Sequence, residues 1–339
     1  ENGLIGMDLL RLGLERGDTA EHAMHIIIEL IQKYGQGGIA GFRDKSLRYD
    51  NSFIIADPWG AWVLETANRH WVAKKVENIW AISNCMTIGE DFDQKSDGIE
   101  DFAIKKGLLK QNDTFNFQKT FDTWFLPFFA GSHQRKQLST DCLEKIFKEQ
   151  EITLQSIADN LRAHNHRSDE IAAGSNNDIC MHACGYIRRS QTCGSMISKL
   201  SKQGNLHFTT GSSAPCLSIF KPVSFDFDLL FGVLNSDETT IKNSLWKNHE
   251  EVHRRLLLLP EERKTYIKEL KRVEYGIMSI FEKPYQDITK KDFEKADKSA
   301  MDFENQAVSK YKNQPFNYSV FSPYNWFWKK MNKLDGFKI

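Results

Sequence analysis

The chain has 339 residues, with 45 Lys+Arg balanced by 45 Asp+Glu, so its formal net charge at pH 7 is zero. A chain of this length, 40% hydrophobic, can bury a substantial core, which excludes a disordered protein and a small disulfide scaffold. The balanced charge disfavours nucleic acid as the main partner, because a polyanion is held by an excess of basic residues. The length predicts about two domains.

Targeting signals are absent from the sequence as it stands. No run approaches the roughly 18 apolar residues of a membrane-spanning helix, and the first residues lack the basic start and apolar core of a signal peptide. The six cysteines form no Cys-x-x-Cys pair. We interpret them as reduced thiols and predict a cytoplasmic location.

The first half of the chain begins with helices and continues with strands. Apolar residues recur every three or four positions from Leu4 to Gly17, which predicts a helix, and a second helix follows from Asp18 or Thr19 to Tyr34. The turn Asp57-Pro58-Trp59-Gly60 lies between two β-rich runs and predicts a hairpin. Further strands are predicted over 70–76 and 79–83, followed by mainly helical sequence over 99–165.

The second half repeats this order of strands and then helices. Strands are predicted over 179–187, 192–200, 207–210 and 215–220, and charged, periodic helices over 246–281 and 289–312. The aromatic tail 313–339 is expected to pack onto the body of the protein. Blocks of helices and antiparallel strands indicate an α+β fold rather than βαβ units. We predict a domain over 1–237 and a charged helical extension with an aromatic tail over 238–339.

Cys180, His182 and Cys184 alternate along a predicted strand, so that their side chains share one face. Three soft ligands on one face raise the question of a zinc site, with His164 and His166 upstream. Two cysteines two residues apart on one strand make a poor tetrahedral pair, however, and cysteine often packs as a small hydrophobe. We therefore predict strand packing and no metal.

Two other groups of polar residues have chemistry suited to a substrate site. Arg188, Arg189 and Gln191 lie at a junction between strands, where two guanidinium groups can hold a carboxylate; a solvated surface turn is the alternative. Asn84 follows a predicted strand, where its amide can donate to an oxyanion or can cap its own turn.

Nine segments of the chain together resemble the secernins, members of the C69 family of dipeptidase-like cysteine hydrolases. The segments are 4–16 (LIGMDLLRLGLER), 34–38 (YGQGG), 51–57 (NSFIIAD), 61–67 (AWVLETA), 82–84 (ISN), 179–183 (ICMHA), 190–192 (SQT), 195–197 (SMI) and 220–222 (FKP). Their order is collinear over residues 3–225, and no matching motif follows residue 238.

The resemblance implies an N-terminal-nucleophile hydrolase, a four-layer αββα sandwich, here incomplete at its N-terminus. In that family a cysteine becomes residue 1 on maturation and its own α-amino group serves as the base. The family implies a cysteine-type exopeptidase that hydrolyses dipeptide amide bonds without metal or cofactor. Asn84 is then the expected oxyanion donor, and Arg188, Arg189 and Gln191 the expected substrate-binding residues.

The sequence departs from the family at the nucleophile, because family members place it ahead of the segment that begins at Leu4. Residue 1 here is Glu, and the first cysteine is Cys85. We expect either a truncated sequence or a homologue that has lost catalysis, and the missing strands favour truncation. The alternative function is a non-catalytic secernin-like scaffold, in a larger assembly or in vesicle trafficking, that binds a protein partner through the helices after residue 238.

Overall fold

A computed structural model gives the fold of the chain. It describes residues 3–41, 45–122, 131–149, 152–165, 171, 174–185, 188, 190–225, 227, 245–315 and 322–339. The chain forms two compact units, unit 1 (Glu1–Thr140) and unit 2 (Asp141–Ile339). Within the described ranges, no helix combines the length and the apolar character needed to cross a bilayer.

Unit 1 combines helices with an antiparallel sheet in the order β1-β2-β3-β4. Its helices are α1 (Gly6–Arg16), α2 (Ala20–Tyr34), α3 (Ile99–Lys105) and α4 (Phe117–Phe121). Its strands are β1 (Ser52–Asp57), β2 (Gly60–Ala67), β3 (His70–Val76) and β4 (Gln94–Lys95). Helix α5 (Ser132–Lys148) begins in unit 1 and ends in unit 2.

The predicted hairpin is confirmed, and one side chain explains its turn. The Asp57 carboxylate accepts hydrogen bonds from the backbone N–H groups of Trp59 and Gly60, at 2.7 and 2.9 Å. Its other oxygen accepts from the N–H of Ala20 at 2.7 Å, at the first residue of α2. The same aspartate therefore closes the turn and attaches the start of α2 to it.

Helix α1 forms where predicted, but the side it buries is not the predicted apolar stripe. Met7, Leu10 and Leu14 are exposed, whereas Leu9 and Gly13 are buried. A Cβ on Gly13 would lie 3.0 Å from the Ile27 side chain on α2. The small residue lets the two helices approach closely, and this close packing overrides the apolar periodicity.

Three predicted strands do not form in the described residues. No strand is present over 79–83, where the Trp80 indole N–H instead donates to Thr87 Oγ1 at 3.0 Å. No strand is present over 179–185 either, and Pro215–Leu217 is a short 3₁₀ turn. Residues 79–83 are mostly half-buried and residues 179–185 mostly buried, and alternation along the sequence does not distinguish such irregular segments from strands.

Unit 2 contains an antiparallel sheet in the order β5-β6-β7 and a group of helices. The strands are β5 (Ser195–Lys199), β6 (Leu206–Thr210) and β7 (Lys221–Val223). The helices are α6 (Leu154–Leu161), α7 (Leu245–Leu256), α8 (Pro260–Ser279), α9 (Lys290–Tyr311) and α10 (Pro323–Leu334).

The helical part of unit 2 follows the sequence closely. The predicted helix 246–281 is two helices, because Pro260 lacks the N–H that a continuous helix needs and instead begins α8. In the aromatic tail, Phe327 and Trp328 of α10 are buried, as expected for a packed segment. Phe316, Tyr318 and Phe321 lie outside the described residues.

Antiparallel sheets with helices agree with the predicted α+β class, while the four-layer sandwich stays a prediction. The predicted boundary at 237/238 lies outside the described residues. On either side of it, α7–α10 and β5–β7 contribute to one hydrophobic core that includes Phe208, Tyr266 and Phe281.

A buried ion pair joins α8 to the loop before β7. Arg162 and Glu274 are 6% and 0% exposed, and Arg162 Nη2 lies 2.6 Å from Glu274 Oε2. Arg162 also donates to the carbonyl oxygens of Pro215 and Ser218, at 2.7 and 2.8 Å. Glu274 accepts from the backbone N–H of Phe220 at 2.9 Å. The pair therefore satisfies the loop backbone as well as its own charges.

Replacing Arg162 with methionine is expected to destabilise unit 2, because the Arg162→Met change leaves the Glu274 carboxylate buried without its cation. The free energy of opening of α8 should fall by about 3–5 kcal/mol. Hydrogen-exchange mass spectrometry of peptides from α8 measures it.

The matched control is Lys271→Met on the same helix, because Lys271 pairs with Asp159 at 3.3 Å on the surface. Its loss should change the opening free energy by no more than about 1 kcal/mol. Equal effects of the two substitutions would contradict the role given to the buried pair.

Candidate active site

One buried carboxylate positions the loop that carries Asn84. Glu65 lies on β2 and is fully buried. Its oxygens accept hydrogen bonds from the N–H groups of Thr87 and Ile88, at 2.7 and 3.0 Å, and from Thr87 Oγ1 at 2.6 Å. Burial raises the Glu65 pKa, and these hydrogen bonds oppose the rise. The loop after Asn84 is thus held to the centre of the sheet.

The Asn84 side chain has a defined orientation, because its partner can only donate. Arg135 is 8% exposed, and its Nη2 donates to Asn84 Oδ1 at 2.7 Å. A guanidinium group has no acceptor, so the amide oxygen must face Arg135. The Nδ2 group then points away from the arginine, and Asn84 itself is exposed. Its amide N–H groups are therefore placed to donate to a bound molecule.

An Asp–His pair adjoins the same loop. Asp122 Oδ2 lies 3.2 Å from His133 Nε2, and the Asp122 side chain is 12% exposed. Burial raises the Asp122 pKa, whereas His133 and a hydrogen bond from the backbone of Met86 lower it. The loop between residues 84 and 88 is thus in contact with two carboxylates and one guanidinium group.

Cys85 is not suited to act as a nucleophile. It is buried, and burial together with the charges of Asp122 and Glu65 raises its pKa to about 12. A thiol with such a pKa carries almost no thiolate at neutral pH. Asn84 lies in a bend and is exposed, whereas the neighbouring Cys85 is buried.

The predicted carboxylate-binding residues belong to unit 2. Arg188 is partly exposed, and its carbonyl oxygen accepts from the N–H of Cys184 at 3.0 Å. Gln191 is partly buried, and its Oε1 has no hydrogen-bond partner in the described ranges. Arg189 lies outside the described residues. Their role in substrate binding stays a prediction.

Cys180, His182 and Cys184, which were considered and rejected as a zinc site in the sequence analysis, are not the group that the structure brings together. Cys184 Sγ lies 3.7 Å from the carbonyl oxygen of Gly174. Cys180 and His182 instead meet His164 and Cys216, and the four ligand atoms all lie within 4.8 Å of one another. Cys216 is 34 residues from His182 in sequence, so no short spacing could have indicated it.

Glu65→Gln is expected to loosen the loop at Asn84. A carboxylate accepts from both backbone N–H groups, whereas a glutamine amide would turn its own N–H₂ towards one of them. The free energy of opening of the loop 84–88 should fall by about 1–3 kcal/mol. Hydrogen exchange of peptides that contain Thr87 and Ile88 measures this.

Glu77→Gln removes a charge from an exposed position after β3 and should leave that exchange unchanged. Unchanged protection of Thr87 and Ile88 in Glu65→Gln would show that the carboxylate does not hold the loop.

The comparison with known proteins concerns this part of the chain. Residues 1–125 match the family model described as Peptidase family C69. The matched region includes Glu65, Asn84 and Asp122, together with both strands of the hairpin. Over these residues the chain is therefore similar to peptidase family C69.

Proposed function

We propose that the protein is a dipeptidase-type cysteine peptidase that hydrolyses dipeptide amide bonds, as the resemblance to secernins implies. The observation that carries the proposal is the orientation of Asn84 within the region that matches a peptidase family. Its Nδ2 group is an amide donor fixed by a buried arginine. Preorganised donors of this kind stabilise the oxyanion of acyl transfer.

The nucleophile is proposed to be a cysteine outside these 339 residues. Five of the six cysteines present have a raised pKa, namely Cys85, Cys142, Cys184, Cys193 and Cys216. Cys180 has a lowered pKa but is 0% exposed, so a dipeptide cannot reach it. No cysteine here combines accessibility with a lowered pKa, as a reactive thiol requires.

The proposed reaction follows the N-terminal-nucleophile chemistry of the family. The thiol sulfur adds to the amide carbonyl carbon, and its proton passes to the α-amino group of the same cysteine. Asn84 Nδ2–H donates to the carbonyl oxygen as that oxygen becomes negative. The C–N bond then breaks, the leaving amine takes the proton, and water hydrolyses the thioester to release the acid.

Asn84→Ala is expected to lower kcat by about 10²–10³-fold, which is the usual cost of losing one oxyanion donor. KM should change little, because the interaction forms as charge develops. The assay is hydrolysis of a dipeptide panel, followed by chromatography of the released amino acids. The enzyme is the protein produced from its natural coding sequence.

Asn112→Ala is the matched control, because Asn112 is also exposed but lies in a turn remote in sequence. It should retain full activity. Asn84→Ala with wild-type kcat would remove Asn84 from the site. Residues 1–339 alone should show background turnover, and thiol-dependent hydrolysis by that preparation, abolished in Cys85→Ala, would refute the proposed nucleophile.

The scaffold function is the competing outcome of the same assay. If the protein from its natural coding sequence, folded by circular dichroism, hydrolyses none of the dipeptides, the peptidase proposal fails and a binding role is favoured.

Arg188 tests the proposed carboxylate contact. Arg188→Ala should raise KM for dipeptides about tenfold with kcat unchanged, because a contact made equally in the ground and transition states affects binding alone. Arg188→Lys keeps the charge without the planar fork, and an intermediate KM is expected. Equal KM values for all three proteins would exclude Arg188 from substrate binding.

A further inference from the structure

A compact group of four soft ligands lies inside unit 2, and the peptidase reaction makes no use of it. We call it the Cys2His2 cluster: His164, Cys180, His182 and Cys216. His182 Nε2 lies 3.0 Å from His164 Nε2, 3.3 Å from Cys216 Sγ and 3.8 Å from Cys180 Sγ. One imidazole nitrogen therefore faces the other three ligand atoms at short range.

The two nitrogen–sulfur distances are those of ligands around a single tetrahedral ion, and the nitrogen–nitrogen distance is slightly shorter. Zinc bonds of about 2.3 Å to sulfur and about 2.0 Å to nitrogen place neighbouring ligand atoms about 3.3 to 3.8 Å apart. Two nitrogens with two sulfurs are a donor set typical of zinc. The four ligand atoms all lie within 4.8 Å of one another, so small side-chain shifts bring all four within bonding distance of one ion.

The three segments that supply the ligands are each held in place independently of any ion. His164 follows α6, two residues after Arg162, whose buried guanidinium donates to Pro215 and Ser218 on either side of Cys216. Ala163 accepts from the N–H groups of Ile179 and Cys180, at 3.0 and 3.3 Å. The fold itself thus holds the backbone of the ligand-bearing segments close together.

The backbone before Cys216 adopts a conformation that non-glycine residues rarely take. Ala214 has φ 58° and ψ 84° and is fully buried. Its N–H donates to the carbonyl oxygen of Thr192 at 2.9 Å. Such a conformation costs of order 1–3 kcal/mol and persists where the surroundings require it. Here it turns the chain so that Cys216 points towards His182.

We propose that His164, Cys180, His182 and Cys216 bind one structural Zn²⁺ ion in unit 2. The ion has four protein ligands and no open position, so it ties three loop segments together and does not activate water. This site is independent of the proposed peptidase function. Cys184 is not among its ligands, and the proposal revises the expectation of no metal.

The test is the zinc content of the full chain, purified with its thiols reduced, stripped with a chelator, reloaded with zinc sulfate and dialysed. Elemental analysis should find one zinc per chain. Cys180→Ser and Cys216→Ser should each lower retained zinc at least about tenfold, because a lost ligand opens the site. Cys184→Ser is the matched control, a buried cysteine outside the cluster, and it should retain the ion.

A second measurement on the unaltered chain avoids variants that fail to fold. In dilute urea, zinc should protect Cys180 and Cys216 from alkylation by iodoacetamide, while exposed Cys193 reacts with or without the metal. Cobalt in place of zinc should give the charge-transfer band of thiolate ligands. Mass spectrometry locates the modified cysteines.

Several outcomes would overturn the proposal. One is the absence of stoichiometric zinc after reloading, together with equal alkylation rates of Cys180 and Cys216 with and without zinc. Another is full zinc retention in both Cys180→Ser and Cys216→Ser. A third is stoichiometric iron in place of zinc. A Cys180–Cys216 disulfide in the freshly purified protein would also overturn it, because that bond removes both thiolate ligands.

Discussion

In each unit of this protein, a buried carboxylate accepts hydrogen bonds from the backbone N–H groups of a loop and holds that loop in place. In unit 1 the carboxylate is that of Glu65, which holds Thr87 and Ile88. In unit 2 it is that of Glu274, which accepts from Phe220 and pairs with Arg162. A buried charge is tolerated only when hydrogen bonds or an opposite charge surround it. The loops must therefore keep their shape, since any movement would leave the carboxylate unsatisfied.

The two candidate sites lie on the loops that these carboxylates organise. Asn84 precedes the segment bound to Glu65, and its orientation comes from the buried guanidinium of Arg135. Cys216 lies between the two carbonyl oxygens that Arg162 binds. Irregular loops carry the reactive side chains, while the sheets and helices supply buried charges that position them. Catalysis and metal binding both need such preorganised ligands.

Local periodicity and turn chemistry predicted many of the regular elements. The hairpin follows from the turn residues at Asp57, whereas the predicted helix 246–281 overlooked the break that Pro260 makes before α8. The sequence failed where the chain is at least half-buried without being regular, as at 79–83 and 179–185. Such segments alternate like strands, but the Trp80 indole N–H donates to the Thr87 hydroxyl, and the backbone N–H of Met181 donates to the Thr192 hydroxyl rather than to a neighbouring strand. Alternating hydrophobicity indicates which side chains are buried, but it does not indicate what the backbone groups hydrogen-bond to.

From the sequence by itself, resemblance predicted the similarity to peptidase family C69 and the order of elements predicted the α+β class. No conclusion was drawn from Glu65 in the sequence analysis, although a charged residue within the apolar run Trp62-Val63-Leu64 is a signal of a buried carboxylate. Only the tertiary structure decided which distant residues meet. It brought Arg135 into contact with Asn84, 51 residues away in sequence, and Cys216 into contact with His182, 34 residues away. Spacing along the chain determines neighbours within one helix or strand, whereas contacts between loops depend on how the whole core packs.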